Sequence, residues 1–246
     1  MKSALCSTAG VLPMFRLAWV LCAASTFGAE VQAPPFLLPG QVDAVVLLPG
    51  PPPAESPEQA ADLFETAAVH AQCSASDAAA GNAEKKVTVF RFAPVIGTYF
   101  NSTNLPTTAA FFEQVQREAD AVTDAGKNFW KRPRPYVVDP DLARTVGEME
   151  KSFSYPSGHA TRGMVFALVL AEIYPDKRDD LIALGRTIGW HRVQLARHYP
   201  TDIYAGRTLA QALVRQMKAS PEFQRRLAEV RGELAAAPAA AAVTVQ

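Results

Sequence analysis

The stretch Tyr155-Pro156-Ser157-Gly158-His159-Ala160-Thr161-Arg162-Gly163 runs straight into Met164-Val165-Phe166-Ala167-Leu168-Val169-Leu170-Ala171. The second half is apolar on every side, which a helix tolerates only when it is buried all round. Ser157 is a helix cap and Pro156 cannot lie inside a helix, so the helix is predicted to begin near Gly158. Gly163, Ala167 and Ala171 recur every four residues and leave one face small enough for a second helix to pack closely. A buried central helix therefore starts with unpaired N–H groups, a serine hydroxyl and a histidine. Such a terminus binds anions, because bare amides and the positive end of the dipole coincide there. An ordinary cap with an incidental histidine fits the same residues.

Composition narrows the setting. Among 246 residues, 24 Lys+Arg balance 24 Asp+Glu, so no global field draws the chain to nucleic acid or an anionic membrane. Any anion site has to be made locally. Lys2, Arg16 and the apolar run Leu17–Ala24 followed by small residues read as a signal peptide over 1–29, cleaved somewhere between 24 and 33. The run is short for an uncleaved anchor, and no later stretch reaches the roughly 20 apolar residues of a transmembrane helix. The expectation is an exported protein, periplasmic or secreted, without stable membrane association after cleavage. Only Cys73 would survive cleavage, so no internal disulfide forms. With His70, His159, His191 and His198 the only histidines, no structural zinc site is expected.

Residues 30–56 are proline-rich, with Pro49-Gly50-Pro51-Pro52-Pro53, and are predicted to be an extended arm without helix. Val42–Leu48 within it is apolar enough to lie against the body or a second subunit, which leaves a homo-oligomer open. Ser56-Pro57-Glu58 opens a helix that continues to Ala71 and fades towards Asn82. Residues 84–99 contain Val87, Val89 and Phe90 but no partner strand, and read as a short helix. Pro106 opens a helix to about Lys131, with Phe111, Phe112, Val115, Ala119 and Val122 as its apolar stripe. A mixed connection with a turn of helix near 141–148 follows. After the central helix come one from Asp176 to about 195–197, one from Pro200 to about Met217, and one from Pro221. The Ala/Pro tail, 236–246, is predicted to be disordered. With no alternation of strands and helices, residues 57–235 read as an all-α, single-domain helical bundle around the helix starting near Gly158.

Two further groups bear on chemistry. Lys127 sits near a helix end and Arg134 lies just beyond it, stiffened by Pro133 and Pro135; the pair makes a phosphate clamp or an exposed basic turn, Lys131–Arg134. On one continuous helix Arg192 and His198 would point about 120° apart. The break before Pro200 removes that conflict. Asp202 then falls in the first turn of the next helix, able to accept the Nδ1–H of His198 and fix its tautomer. A His–Asp pair that merely holds a corner is the alternative.

Together Lys127-x6-Arg134-Pro135, Pro156-Ser157-Gly158-His159 and Arg192-x5-His198-x3-Asp202 resemble the three-part signature of the type 2 phosphatidic acid phosphatase superfamily, which includes vanadium-dependent haloperoxidases. Ser154–His159 with Ala171-Glu172-Ile173, and the upstream Leu48–Pro53, are similar to the class A bacterial non-specific acid phosphatases. The resemblance implies a metal-independent acid phosphatase acting on small-molecule phosphate monoesters, without cofactor and inhibited by vanadate. It implies that Lys127, Arg134 and Arg192 hold the phosphoryl oxygens with Ser157 and the Gly158 N–H. His198 would attack phosphorus, oriented by Asp202, and His159, starting protonated, would protonate the leaving oxygen and later activate water. His191 replaces the serine usual before the arginine, and either reaches the pocket edge or packs. A lipid or diphosphate phosphatase, a vanadium haloperoxidase and a non-catalytic phosphate-binding module are the competing readings.

Overall fold

A computed structural model describes residues 34–243, with side chains over 34–237; the predicted signal peptide lies outside them. In chain order the helices are α1 (Ala44–Leu47), α2 (Pro57–Ala71), α3 (Ala75–Ala83), α4 (Ala93–Ile96), α5 (Pro106–Trp130), α6 (Pro135–Val138), α7 (Pro140–Ala143), α8 (Gly158–Ile173), α9 (Arg178–Gln194), α10 (Pro200–Ala219) and α11 (Pro221–Val243). Among the described residues there is no strand, and the fold is all-α.

α8 is the axis. Ser157 is its N-cap, with Oγ accepting from the Ala160 amide at 3.4 Å, and residues on all its faces are buried. α9, α10 and α5 pack around it. The small-residue stripe explains the closeness of α9. A Cβ on Gly185 would stand 2.8 Å from both the Ala167 Cβ and the Gly163 carbonyl oxygen, so the two backbones meet where neither has bulk. Gly206 of α10 repeats the device at the start of α8, where a Cβ would lie 2.7 Å from the Ser157 carbonyl oxygen.

Four expectations need correction. The arm contains the short helix α1, begun by the Asp43 carboxylate accepting from Val45 N at 2.8 Å. The arm is also part of the body: Phe36 packs on Phe111 and Phe223 at centroid distances of 5.3 Å, and the Phe36 and Leu37 amides donate to Glu118. Burial of its few apolar side chains overrides the proline content. The helix after Pro57 does not fade but breaks at Gln72, and Ser74 caps a new helix, α3. Residues 84–99 form two 3₁₀ turns, Glu84–Lys86 and Val89–Phe92, leading into α4, because Val87, Val89 and Phe92 drop singly into the core. Last, α11 continues to Val243 through the predicted disordered tail, in keeping with alanine's helix propensity.

The predicted turn near 141–148 appears slightly earlier, as α6 and α7. No described helix is long and apolar enough to cross a membrane.

Candidate active site

The end of α5, the α6 entry, the start of α8 and the α9–α10 corner converge. Lys127 occupies the last turn of α5 and donates to the Phe153 carbonyl at 2.6 Å. Arg134 is the N-cap residue of α6; its Nε donates to the Ser152 carbonyl at 2.8 Å and one terminal nitrogen to the Arg197 carbonyl at 2.8 Å. Neither is the exposed basic turn that the sequence also allowed, since Lys127, Arg132 and Arg134 are all buried.

His198 is 1% exposed in the turn between α9 and α10. Its Nδ1 lies 3.1 Å from the Asp202 carboxylate, and its Nε2 lies 3.2 Å from an Arg134 guanidinium nitrogen. Arginine can only donate, so Nε2 carries a lone pair and Nδ1 the proton. Burial, and after it Arg134, Lys127 and Arg192, hold the imidazole's pKa well below the usual histidine value. The ring is thus a neutral base whose free lone pair faces a cation.

Asp202 is fully buried and satisfied on both oxygens. One accepts from Ser154 Oγ at 2.5 Å and Tyr199 N at 3.0 Å as well as from His198. The other accepts from Arg132 at 2.6 Å. Arg132 also pairs with Asp62 at 2.6 Å, donates to Gln59 at 2.7 Å and lies 3.8 Å over the Tyr199 ring. Sequence reasoning missed this guanidinium as a site element: its partners on α2 are some seventy residues away in the chain.

His159 stands in the first turn of α8, where the Gly158 and His159 amides have no partner inside the helix. A Cβ on Gly158 would meet nothing within 4 Å, so there is open space beside the first turn of α8. The His159 Nε2 donates to the Glu84 carbonyl at 3.0 Å, leaving Nδ1 for other chemistry. Burial first, then Arg192 and Arg162, push the His159 pKa well below the ordinary value, against a smaller upward pull from the Glu84 carbonyl.

Lys127, Arg134, Gly158, His159 and His198 line one cavity of about 160 Å³, together with Asp120, Asp124, Glu150, Ser152 and Arg162. Arg192 lines the adjoining cavity of about 780 Å³, which shares Glu150, Ser152 and His159 with the first. Glu150 joins the two: its carboxylate accepts from Arg192 at 2.6 Å and forms an ion pair with Arg134 at 2.6 Å. Ser157 is buried as the α8 cap and lines neither cavity. His191 also lines neither; its Nδ1 is fixed 2.7 Å from the buried Glu84 carboxylate, which also pairs with Arg91. Burial lowers the Lys127 pKa to about 8, helped by Arg134, and that of Arg192 to about 10. Both remain cations at neutral and acid pH. Among the described residues no group of three His, Cys, Asp or Glu is placed to hold a metal ion.

Residues 117–225, which hold all these side chains except those of the Glu84 region and α2, match the PAP2 superfamily. Among known proteins the chain is similar to the non-specific acid phosphatase of Salmonella typhimurium, 33% identical over 58% of this chain and 59% of that one. It is likewise similar to the non-specific acid phosphatase of Providencia stuartii, 33% identical over 49% of this chain and 50% of that one. A shorter match joins it to the lipid A 1-phosphatase of Rhizobium etli, 40% identical over 22% of this chain and 23% of that one. The match thus spans between half and three fifths of the length of these acid phosphatases.

Proposed function

We propose that this protein is an exported acid phosphatase that hydrolyses small phosphate monoesters through a phosphohistidine on His198, with side-chain cations in place of a metal. The observation that carries the reading is the state of His198: Nδ1 tied to Asp202 and Nε2 turned towards Arg134 in a cavity shared with Lys127 and His159. The acid phosphatase relatives support the reaction class.

Phosphoryl transfer needs positioning and compensation of charge more than covalent ingenuity. Lys127, Arg134 and Arg192 compensate the phosphoryl charge while the first-turn amides of α8 receive an oxygen. The Nε2 lone pair of His198 forms the N–P bond as the ester P–O bond breaks, and the departing oxygen takes the proton from His159. Water then gives a proton to His159 and attacks phosphorus, the N–P bond breaks, and phosphate leaves. Asp202 stabilises the imidazolium character that builds on His198. A bound phosphate dianion offsets the cations that depress His159 and so raises its pKa, which makes substrate the agent that protonates its own acid catalyst. Activity on the acid side of neutral follows.

His198→Ala is expected to abolish hydrolysis of p-nitrophenyl phosphate while the circular dichroism spectrum persists. Vanadate, a mimic of five-coordinate phosphorus, is expected to inhibit, and activity to survive EDTA. Near-normal turnover by the variant would remove His198 as nucleophile, and loss to EDTA restored by a divalent ion would return the positive charge to a metal.

A further inference from the structure

We propose that Glu150 is a built-in competitor for the phosphate cage: its carboxylate occupies the arginines that a substrate phosphoryl group must use, and so sets how tightly phosphate binds. This rests on reading the cavity as a phosphate site. The carboxylate spans the two guanidiniums with one oxygen 2.6 Å from Arg134 and the other 2.6 Å from Arg192, and Arg197 lies 3.5 Å away. Charge-assisted bonds of that length are what those arginines would offer a phosphate. An ion pair that only stapled a loop could sit anywhere on the surface; this one bridges the two cavities and uses the cations the reaction requires.

Glu150 is built to be seated and to be displaced. Its amide donates to the Tyr136 hydroxyl at 2.9 Å, and the Arg197 guanidinium holds the Glu148 carbonyl at 2.7 Å, so the backbone presents the side chain inward. The side chain is nevertheless 29% exposed and has solvent to swing into. Burial pushes its carboxyl up, but Arg134, Arg192, Arg197 and Lys127 together outweigh that and hold it below the usual carboxylate range, so it competes as an anion. It does not saturate the cage: the buried Nε of Arg192 has no partner among the described residues. A phosphate dianion brings a second charge and a third oxygen to the same three cations, which is how it displaces a single carboxylate.

Calorimetric titration of the purified protein with inorganic phosphate tests this without reference to turnover. If Glu150 is seated nine-tenths of the time, its removal strengthens apparent phosphate affinity about tenfold. Glu150→Gln and Glu150→Ala are therefore expected to bind phosphate roughly tenfold or more tighter, with KM for p-nitrophenyl phosphate falling. Glu148→Gln, which removes the charge that pairs with exposed Lys85, is the control and is expected to leave binding unchanged. Phosphate affinity that is equal or weaker in both Glu150 variants would overturn the inference and make Glu150 a support for the arginines. Tighter phosphate binding by variants that, like the parent, hydrolyse no monoester would uphold it while removing the proposed activity.

Discussion

Arg132→Met keeps the aliphatic stem and deletes the guanidinium that lies between two buried carboxylates. The lost contacts are the 2.6 Å pairs to Asp62 and Asp202, the 2.7 Å bond to Gln59, the 2.8 Å bond to Thr201 Oγ1 and the stacking over Tyr199. Removing one partner of a buried ion pair costs about 3–5 kcal/mol, because the remaining charge is left uncompensated. The two pairs share one guanidinium, so the cost is not doubled. Each carboxylate also keeps other donors: Asp62 the Thr201 amide and hydroxyl, Asp202 the Ser154 hydroxyl and the Tyr199 amide. A loss of about 3–4 kcal/mol is expected, or roughly 6–16 °C in Tm at about 2–4 °C per kcal/mol for a domain of this size. Urea unfolding gives the free energy directly. Adding Asp62→Asn removes one of the stranded charges, so the double variant should be more stable than additivity allows, by about 0.5–3 kcal/mol. A single-variant loss below about 1 kcal/mol, or strict additivity, would refute the view that Arg132 neutralises this pair.

His159→Ala should slow formation of the phosphoenzyme, followed as the pre-steady-state release of the alcohol, by about 10²–10⁴-fold for alkyl phosphates and much less for p-nitrophenyl phosphate, because in that step only the poor leaving group needs the proton; equal losses in that phase would deny it the acid role. Burial and neighbouring cations hold both active-site histidines below their usual pKa in the folded protein, so unfolding takes up protons as pH falls through the ordinary histidine range and stability falls with it. His159→Gln should flatten the decline between pH 7 and 5 in urea unfolding, and an unchanged slope would contradict the cause given for its low pKa. Gly185→Ala places a Cβ 2.8 Å from rigid atoms of α8 and should destabilise by about 1–3 kcal/mol. Gly232→Ala on α11 meets nothing within 4 Å and should stabilise by about 0.5–1 kcal/mol; similar effects at both sites would mean α8 and α9 are not in such close contact.

Residues whose meaning is local were readable in the sequence. Ser157 before an all-apolar run marks the start of α8, and Pro106, Pro200 and Pro221 each open a helix where a missing N–H costs nothing. The Lys127–Arg134, Ser157–His159 and Arg192–Asp202 groups were legible because each is a short spacing on one element or across one break. What escaped depends on partners far along the chain. Arg132 looked like part of a solvated basic turn until Gln59 and Asp62 of α2 came to meet it. Glu84 fell in an ambiguous stretch, yet its carboxylate fixes His191 and its carbonyl fixes His159. Nothing in the local pattern of Gly147–Ser152 distinguishes Glu150 from Glu148, although one sits on the arginines and the other pairs with exposed Lys85. The surroundings of His159 escaped for the same reason, since its lowered pKa comes from burial and from Arg192 and Arg162 rather than from neighbours in sequence.

The most direct test is a rapid-quench reaction with a ³²P-labelled phosphate monoester, stopped in alkali, where phosphohistidine survives and acyl phosphates do not, followed by peptide mapping. Label on the peptide containing His198, absent in His198→Ala and accumulating in His159→Ala, is the result expected from a neutral imidazole held by Asp202 and facing Arg134. Turnover with no label on the protein, or label on any other residue, would contradict it.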